Sequence, residues 1–398
     1  MDPLRNPYAP GAGAPPPELA GRQALLESAA IAIERIRIGR FAKSLILVGL
    51  RGVGKTVLLD RIRMEAEARG AQSVRIEAPE GRSLPALLAP QLRGALLRMS
   101  KLSKAKDLAQ RALRALAGFA PALKVTYSDI EVALDFEREP GLADSGDLDN
   151  DLQELLLAAG RAAQAAGSVL VLFVDELQYV REPELASLIT ALHRCSQEQV
   201  PVTLIAAGLP QLLAQTGNAK SYAERLFDFP RVDALAEPAA REALEIPAAK
   251  EGVAFETEAT AAILAQTQCY PYFLQEWGKH AWEAANASPI THADVVAGSE
   301  LATAALDASF FLVRFDRLAP SEKRYLRAMA QLGPGPHRSG DIAAILDRPV
   351  TSLAPTRAAL IAKGMVWSQA HGETAFTVPL FDAFMRRVMP GDDWRTTE

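Results

Sequence analysis

Cysteine is nearly absent from this chain: two in 398 residues, Cys195 and Cys269. They lie far apart and outside any metal-ligand spacing, which excludes a disulfide framework and a thiolate metal site and leaves two buried free thiols in a reducing compartment. Long apolar runs are missing too. The longest uninterrupted one covers residues 169–174, far below the roughly 20 residues of a bilayer-crossing helix. The opening Met1-Asp2-Pro3-Leu4-Arg5-Asn6 has no basic start followed by an apolar stretch, so no secretory leader is expected. The expectation is a cytoplasmic protein with no membrane partner. Nor does one sign of charge dominate: 43 Lys+Arg against 48 Asp+Glu give a net −5, which excludes a chain-wide polyanion binder. What is present is ordinary for a globular chain, 49% hydrophobic and 23% charged. At roughly 150 residues per domain, the length predicts two or three domains.

The charge is unevenly spread. Residues 317–391 hold ten Lys+Arg and five Asp+Glu, a net of +5 that leaves −10 on the rest. Contact with nucleic acid, if made, belongs to that basic segment.

Residues 1–17 are rich in Pro, Gly and Ala and predict neither helix nor central strand. An amphipathic helix is expected over about 18–40, then a strand at 44–48, a glycine loop and a helix at 56–69. Further strands are expected at 73–78, 169–174 and 202–207, with a short one at 226–229. Their apolar runs are continuous rather than alternating, as in strands buried on both faces of a parallel sheet. Helical patterns at 152–166 and 183–198 separate them, giving alternating βα units. A stretch of about 85–145 interrupts this order. In it, 87–116 predicts one helix with a basic, solvated face and 125–134 a β-hairpin. The acids Asp144, Asp147, Asp149 and Asp151 read as helix-start residues, with Ser145 and Asp147 as caps.

The chemistry begins at Gly49-Leu50-Arg51-Gly52-Val53-Gly54-Lys55-Thr56, which satisfies G-x-x-x-x-G-K-[ST] between a strand and a helix that opens through Val57. The glycines let the backbone wrap phosphates, and the loop amides and helix start face negative charge. Lys55 is expected on the β- and γ-phosphates and the Thr56 hydroxyl on Mg²⁺. Residues 168–176 supply the second element, an apolar strand ending in Asp175-Glu176. Asp175 is assigned to Mg²⁺, and Glu176 to the base that polarises water. ATP and Mg²⁺ are the expected ligands.

This arrangement resembles AAA+ ATPases of the branch near origin-binding initiators, archaeal-type ATPases and STAND-type regulators. Residues 17–22, with Leu19 and Arg22, look like the segment that lies against adenine in such proteins. Residues 222–226 precede a strand as an arginine finger does, so the resemblance gives Arg225 that role; an ordinary surface or salt-bridge arginine is the alternative. Residues 269–275 sit in a helical region, 238–300, similar to the lid that closes on the base, where Pro271 is assigned. Two departures stand out. Gly208 ends the fourth strand where many members place a polar γ-phosphate sensor, and Tyr270-Pro271-Tyr272 stands where others offer a second sensing arginine. Their loss implies slow hydrolysis and a switch-like role.

Residues 317–391 predict three helices, the first capped by Ser321, and a hairpin around His371-Gly372, which resemble a winged helix. In that fold the third helix enters the major groove. Arg338, Thr356, Arg357 and Lys363 are the candidate DNA contacts. Pro355 within the third helix argues instead for a protein-binding module. The expected fold is therefore α/β: a P-loop parallel-sheet core at 18–235, a helical lid and linker at 236–316 and a winged helix at 317–391, behind an N-terminal segment at 1–17. The leading functional reading is an ATPase switch that binds duplex DNA and forms an ATP-dependent homo-oligomer. A signalling or defence regulator with a protein partner, and a transposition accessory ATPase, stand as alternatives.

Overall fold

Five parallel strands form the sheet among the residues described in the computed structural model, which are 1–11, 13, 15–79, 81–122, 137–368 and 372–395. Three of them are the expected continuous apolar runs, whereas one edge strand alternates buried and half-buried residues and the other edge strand has only two residues. They are β1 (Ser44–Val48), β2 (Gln72–Glu77), β3 (Leu170–Asp175), β4 (Val202–Gly208) and β5 (Phe227–Asp228), in the order β2-β3-β4-β1-β5. Every residue of β1, β3 and β4 is buried, so nothing is left to alternate. Leu45 pairs with Ile205, Leu172 with Leu204 and Val74 with Leu172. The chain leaves β1 for one edge of the sheet and β4 for the other. The carboxyl ends of β1 and β4 thus meet at a topological switch point, where open α/β sheets bind ligands.

The sheet belongs to a unit formed by Arg22–Gly49 and Lys55–Val232. Its helices are α1 (Gln23–Arg37), α2 (Lys55–Ala68), α3 (Leu84–Ser100), α4 (Lys106–Ala122), α5 (Leu148–Ala165), α6 (Glu182–Gln197), α7 (Leu212–Ala219) and α8 (Ala223–Leu226). Three differ from expectation. The first starts at Gln23, because Gly21 turns with φ 68°. The single helix expected at 87–116 is two, α3 and α4, broken at 101–105, and their apolar residues Leu88, Leu92, Leu96, Leu113, Leu116 and Phe119 are core. Residues 125–134, where a hairpin was expected, lie outside the described residues. The acidic cluster behaves as caps: the Asp147 carboxylate accepts the Asp149 and Asn150 amides, and Asp151 accepts Ser145 and Gly146. Cys195 is buried, which pushes its thiol up to about 12; Cys269, expected buried, is half-buried.

The second unit comprises Met1–Gly21, Leu50–Gly54 and Asp233–Glu398. It opens with α9 (Glu237–Lys250), α10 (Thr257–Thr267), α11 (Pro271–Ala284) and α12 (His292–Ala305), then a π-helical turn at Leu306–Phe311 and α13 (Leu312–Asp316). By length and composition, the 25-residue run His292–Asp316 is long and apolar enough to cross a membrane. Asp294, Glu300 and Asp307 interrupt its apolar residues, so an unbroken-run criterion misses it. In the structure α12 packs on α11, burying Val295, Gly298 and Ala302. The N-terminal segment is tied down as well: Tyr8 is 4% exposed and its hydroxyl donates to the Leu244 carbonyl, while Trp282 Nε1 donates to the Asp2 carbonyl at 3.0 Å.

The C-terminal part contains α14 (Pro320–Leu332), β6 (His337–Arg338), α15 (Ser339–Leu346), α16 (Val350–Ala362), β7 (Val366–Trp367), β8 (Glu373–Phe376) and α17 (Phe381–Val388). The strands form an antiparallel sheet in the order β6-β8-β7. The cap of α14 is Ala319, not Ser321. Pro320 fixes the first helical position, and the Glu322 carboxylate reaches back to accept the Ala319 amide at 2.7 Å. His371 lies outside the described residues.

Candidate nucleotide site

The glycine loop turns where its sequence allows. Gly52 and Gly54 stand at φ 84° and 89°, a region that only glycine enters without strain. α2 starts at Lys55, directing its free backbone N–H groups at the loop.

Within the sheet unit, four of the expected residues converge. Lys55 is 7% exposed and Asp175, at the end of β3, 2%. The Thr56 hydroxyl donates to the Asp175 carboxylate. The Glu176 amide also donates to Asp175 Oδ1, at 2.9 Å. Burial raises the Asp175 carboxyl above the usual range, and the Thr56 and Glu176 hydrogen bonds and the Lys55 ammonium oppose that rise. A buried carboxylate held by a hydroxyl and next to a buried ammonium is a donor set suited to a hard cation and its phosphate ligands. Glu176 itself adopts a left-handed backbone, φ 52° and ψ 40°, a strained conformation of the kind that clusters at functional sites.

One residue in this cluster escaped the sequence reading. Gln178 is 7% exposed; its Oε1 accepts the Leu209 amide at 3.1 Å and its Nε2 donates to the Glu176 carboxylate. The available signal was a polar residue two places after Glu176, in an otherwise apolar Leu177-Gln178-Tyr179 turn.

The crest of the loop, Leu50–Gly54, groups with the second unit, where α11 meets it. The Tyr270 hydroxyl donates to the Arg51 carbonyl, and the Tyr272 amide to the Gly52 carbonyl at 3.2 Å. A Cβ at Gly52 would stand 3.0 Å from the Tyr270 ring. Two consecutive left-handed residues, Gln268 and Cys269, set up this approach. Tyr272 stacks on Phe310 at 4.7 Å, and the rings continue through Phe311 to Phe381 and Phe384 of α17. The Arg314 guanidinium lies 3.9 Å over the Phe310 ring. Burial first and then the Arg51 charge lower it to about 10.

The remaining assignments are placed as follows. Gly49 is buried, Leu50 and Val57 are half-buried and Val53 is 2% exposed. Leu19 is half-buried, Arg22 is 9% exposed just before α1, and Pro271 opens α11. Arg225 is exposed in α8, its guanidinium without a partner among the described residues. Arg338 is exposed, likewise with a guanidinium that has no partner among them, and Thr356 is half-buried. Arg357 and Lys363, by contrast, are engaged internally. Arg357 donates to Thr374, Ser368 and the Glu373 carbonyl, and Lys363 pairs with Glu322 at 2.7 Å.

The fold and this cluster define a P-loop ATPase. Residues 18–205 match the family described as AAA ATPase domain, and residues 308–385 match a domain of unknown function (DUF8462). No curated protein matches the chain. The Walker-type ATPase PABY2304 of Pyrococcus abyssi is similar over 92% of this chain and 96% of its own, with a TM-score of 0.59 and 15% identity. Orc1 of Aeropyrum pernix, solved in complex with DNA, aligns over 94% of each chain at 15% identity and a TM-score of 0.47. Cdc6p from Pyrobaculum aerophilum aligns over 98% of each at 14% identity and 0.45. Residues 18–205 are thus similar to an AAA ATPase domain, and the P. abyssi ATPase shares the fold over nearly the whole chain.

Proposed function

We propose that the chain is a slow, Mg²⁺-dependent ATPase that works as a switch and binds duplex DNA through its C-terminal domain. The convergence of Lys55, Thr56 and Asp175 carries the nucleotide half of this reading. Lys55 and the loop amides hold the phosphates, and Thr56 and Asp175 hold the metal. When bound, Mg²⁺ neutralises phosphate charge. The Glu176 carboxylate accepts the proton of the attacking water. Leu19, Arg22 and Pro271 keep the adenine-side role that the resemblance gives them, and Arg225 acts on the nucleotide of a neighbouring copy. Slow turnover follows from Gly208, which offers no side chain to the γ-phosphate.

The domain from residue 317 reads as a winged helix, supported by its order of helix, strand, helix, helix and hairpin, and its +5 charge favours a polyanion. Arg338 is the first phosphate contact and Arg348, also exposed and without a side-chain partner among the described residues, a second. Thr356 remains a candidate on the third helix. A protein partner is the second reading, favoured by the internal engagement of Arg357 and Lys363. Mobility shift with random duplex, with ATP, with ADP and without nucleotide, separates the two. For DNA, binding is expected to fall steeply with salt, and Arg338→Ala to lower the slope of log K on log salt by about one unit. No binding at low salt with ATP present assigns the domain to protein.

A further inference from the structure

Strand β4 ends in a residue with no side chain, yet its end is not bare. The Gln178 amide lies against it. A Cβ at Gly208 would overlap Gln178 Oε1 and the Leu212 side chain, so glycine here makes the room that the glutamine fills. From that position Gln178 uses both ends of its amide, accepting from Leu209 and donating to the Glu176 carboxylate. The Gly208 carbonyl in turn accepts the Gly49 amide, the first of the phosphate loop, at 3.2 Å. A path of backbone and amide contacts therefore runs from the phosphate loop through Gly208 and Leu209 to Gln178, and ends on Glu176.

Only a side-chain amide of this length can do both jobs. A glutamate has no donor for the Glu176 carboxylate when ionised, and a leucine has neither donor nor acceptor. The requirement is strict because the site is buried and Glu176 holds a strained backbone, a conformation that persists only where its surroundings over-determine it.

We infer that Gln178 is a positioning residue for hydrolysis: from the room that Gly208 leaves, it fixes the Glu176 carboxylate relative to the phosphate loop. This rests on Glu176 being the base. The glycine at the end of β4 and the glutamine two places after the acid pair are thus one device.

The test is steady-state ATP hydrolysis by the full chain, with ATP affinity and thermal melting measured in parallel. Gln178→Leu keeps the volume and loses both hydrogen bonds. It is expected to lower kcat at least tenfold, a loss in line with the cost of misplacing a reacting group, while KM and ATP affinity stay within twofold. Gly208→Ala, which leaves the glutamine in place but displaces its amide, should lower kcat in the same way. The double variant should be no slower than the worse single one, since both break one link. In a Glu176→Gln background, Gln178→Leu should have no further effect. Wild-type kcat in both Gln178→Leu and Gly208→Ala overturns the inference, as does an equal fall in melting temperature and ATP affinity with kcat unchanged. If Glu176→Gln itself turns over normally, the base assignment fails instead, and the two failures are told apart.

Discussion

At the scale of single residues, the site depends on charges placed where water is scarce. Lys55 and Asp175 are almost completely buried, a position such groups hold only when paired or ligated. Glu176 is different: it is half-buried, and its proposed role is to accept a proton from water. Glu176→Gln is expected to keep ATP affinity and lower turnover by about a hundredfold or more, since an amide accepts no proton; a phosphate-release assay beside a nucleotide titration checks it, and turnover within twofold of wild type contradicts it. The loop, Lys55, Thr56 and the Asp175-Glu176 pair were legible from sequence because each is a fixed residue type at a fixed spacing next to a strand. Gln178 was not, since its role comes from where β4 passes, and strand order is invisible in a linear motif. The emptiness of Gly208 was legible; what fills it was not.

The elements show the same division. β1, β3 and β4 were readable because burial on both faces forces an unbroken apolar run, whereas helix ends depended on local chemistry that competes closely. Ser321 is a good capping residue, yet Pro320 and Glu322 moved the start of α14 back to Ala319. In α16, Arg357 was read as a groove contact from its charge and its place on the third helix. In the structure it clamps the helix to the hairpin through Thr374, whose side chain is fully buried. Arg357→Ala is therefore expected to destabilise the C-terminal domain by about 1–3 kcal/mol, the cost of leaving a buried partner unsatisfied. Thermal melting of the full chain, read by the fluorescence of its tryptophans, should show a lowered transition, and an unchanged transition with reduced DNA binding would return Arg357 to the groove. The aromatic rings from Tyr272 to Phe384 give the second unit a packed line from the loop crest to α17. That line was unreadable in sequence, since its members are scattered over more than a hundred positions.

Across the whole molecule, the contrast between −10 and +5 favours the C-terminal segment as the approach side for the proposed duplex, and the finger role proposed for the exposed Arg225 makes subunit contact its condition. If Arg225 serves a neighbour, Arg225→Ala alone should lower ATP turnover only at concentrations where copies associate. Mixing it with Glu176→Gln should recover part of the rate, because a mixed interface pairs an intact base with an intact arginine. Wild-type rates in Arg225→Ala at every concentration, with no recovery in any mixture, contradict the finger role.

The proposed function depends on the loop at 49–56 holding ATP with Mg²⁺, and Lys55 is its most exacting residue. Isothermal titration of Mg²⁺-ATP into the intact chain and into Lys55→Ala, both shown by melting without nucleotide to be equally folded, is the direct measurement. Saturable binding by the wild type and a loss of about a hundredfold or more in Lys55→Ala are expected, in line with removing a buried charge-assisted contact to phosphate. Equal affinity in the two proteins, or no binding in either, contradicts the assignment of this site to nucleotide.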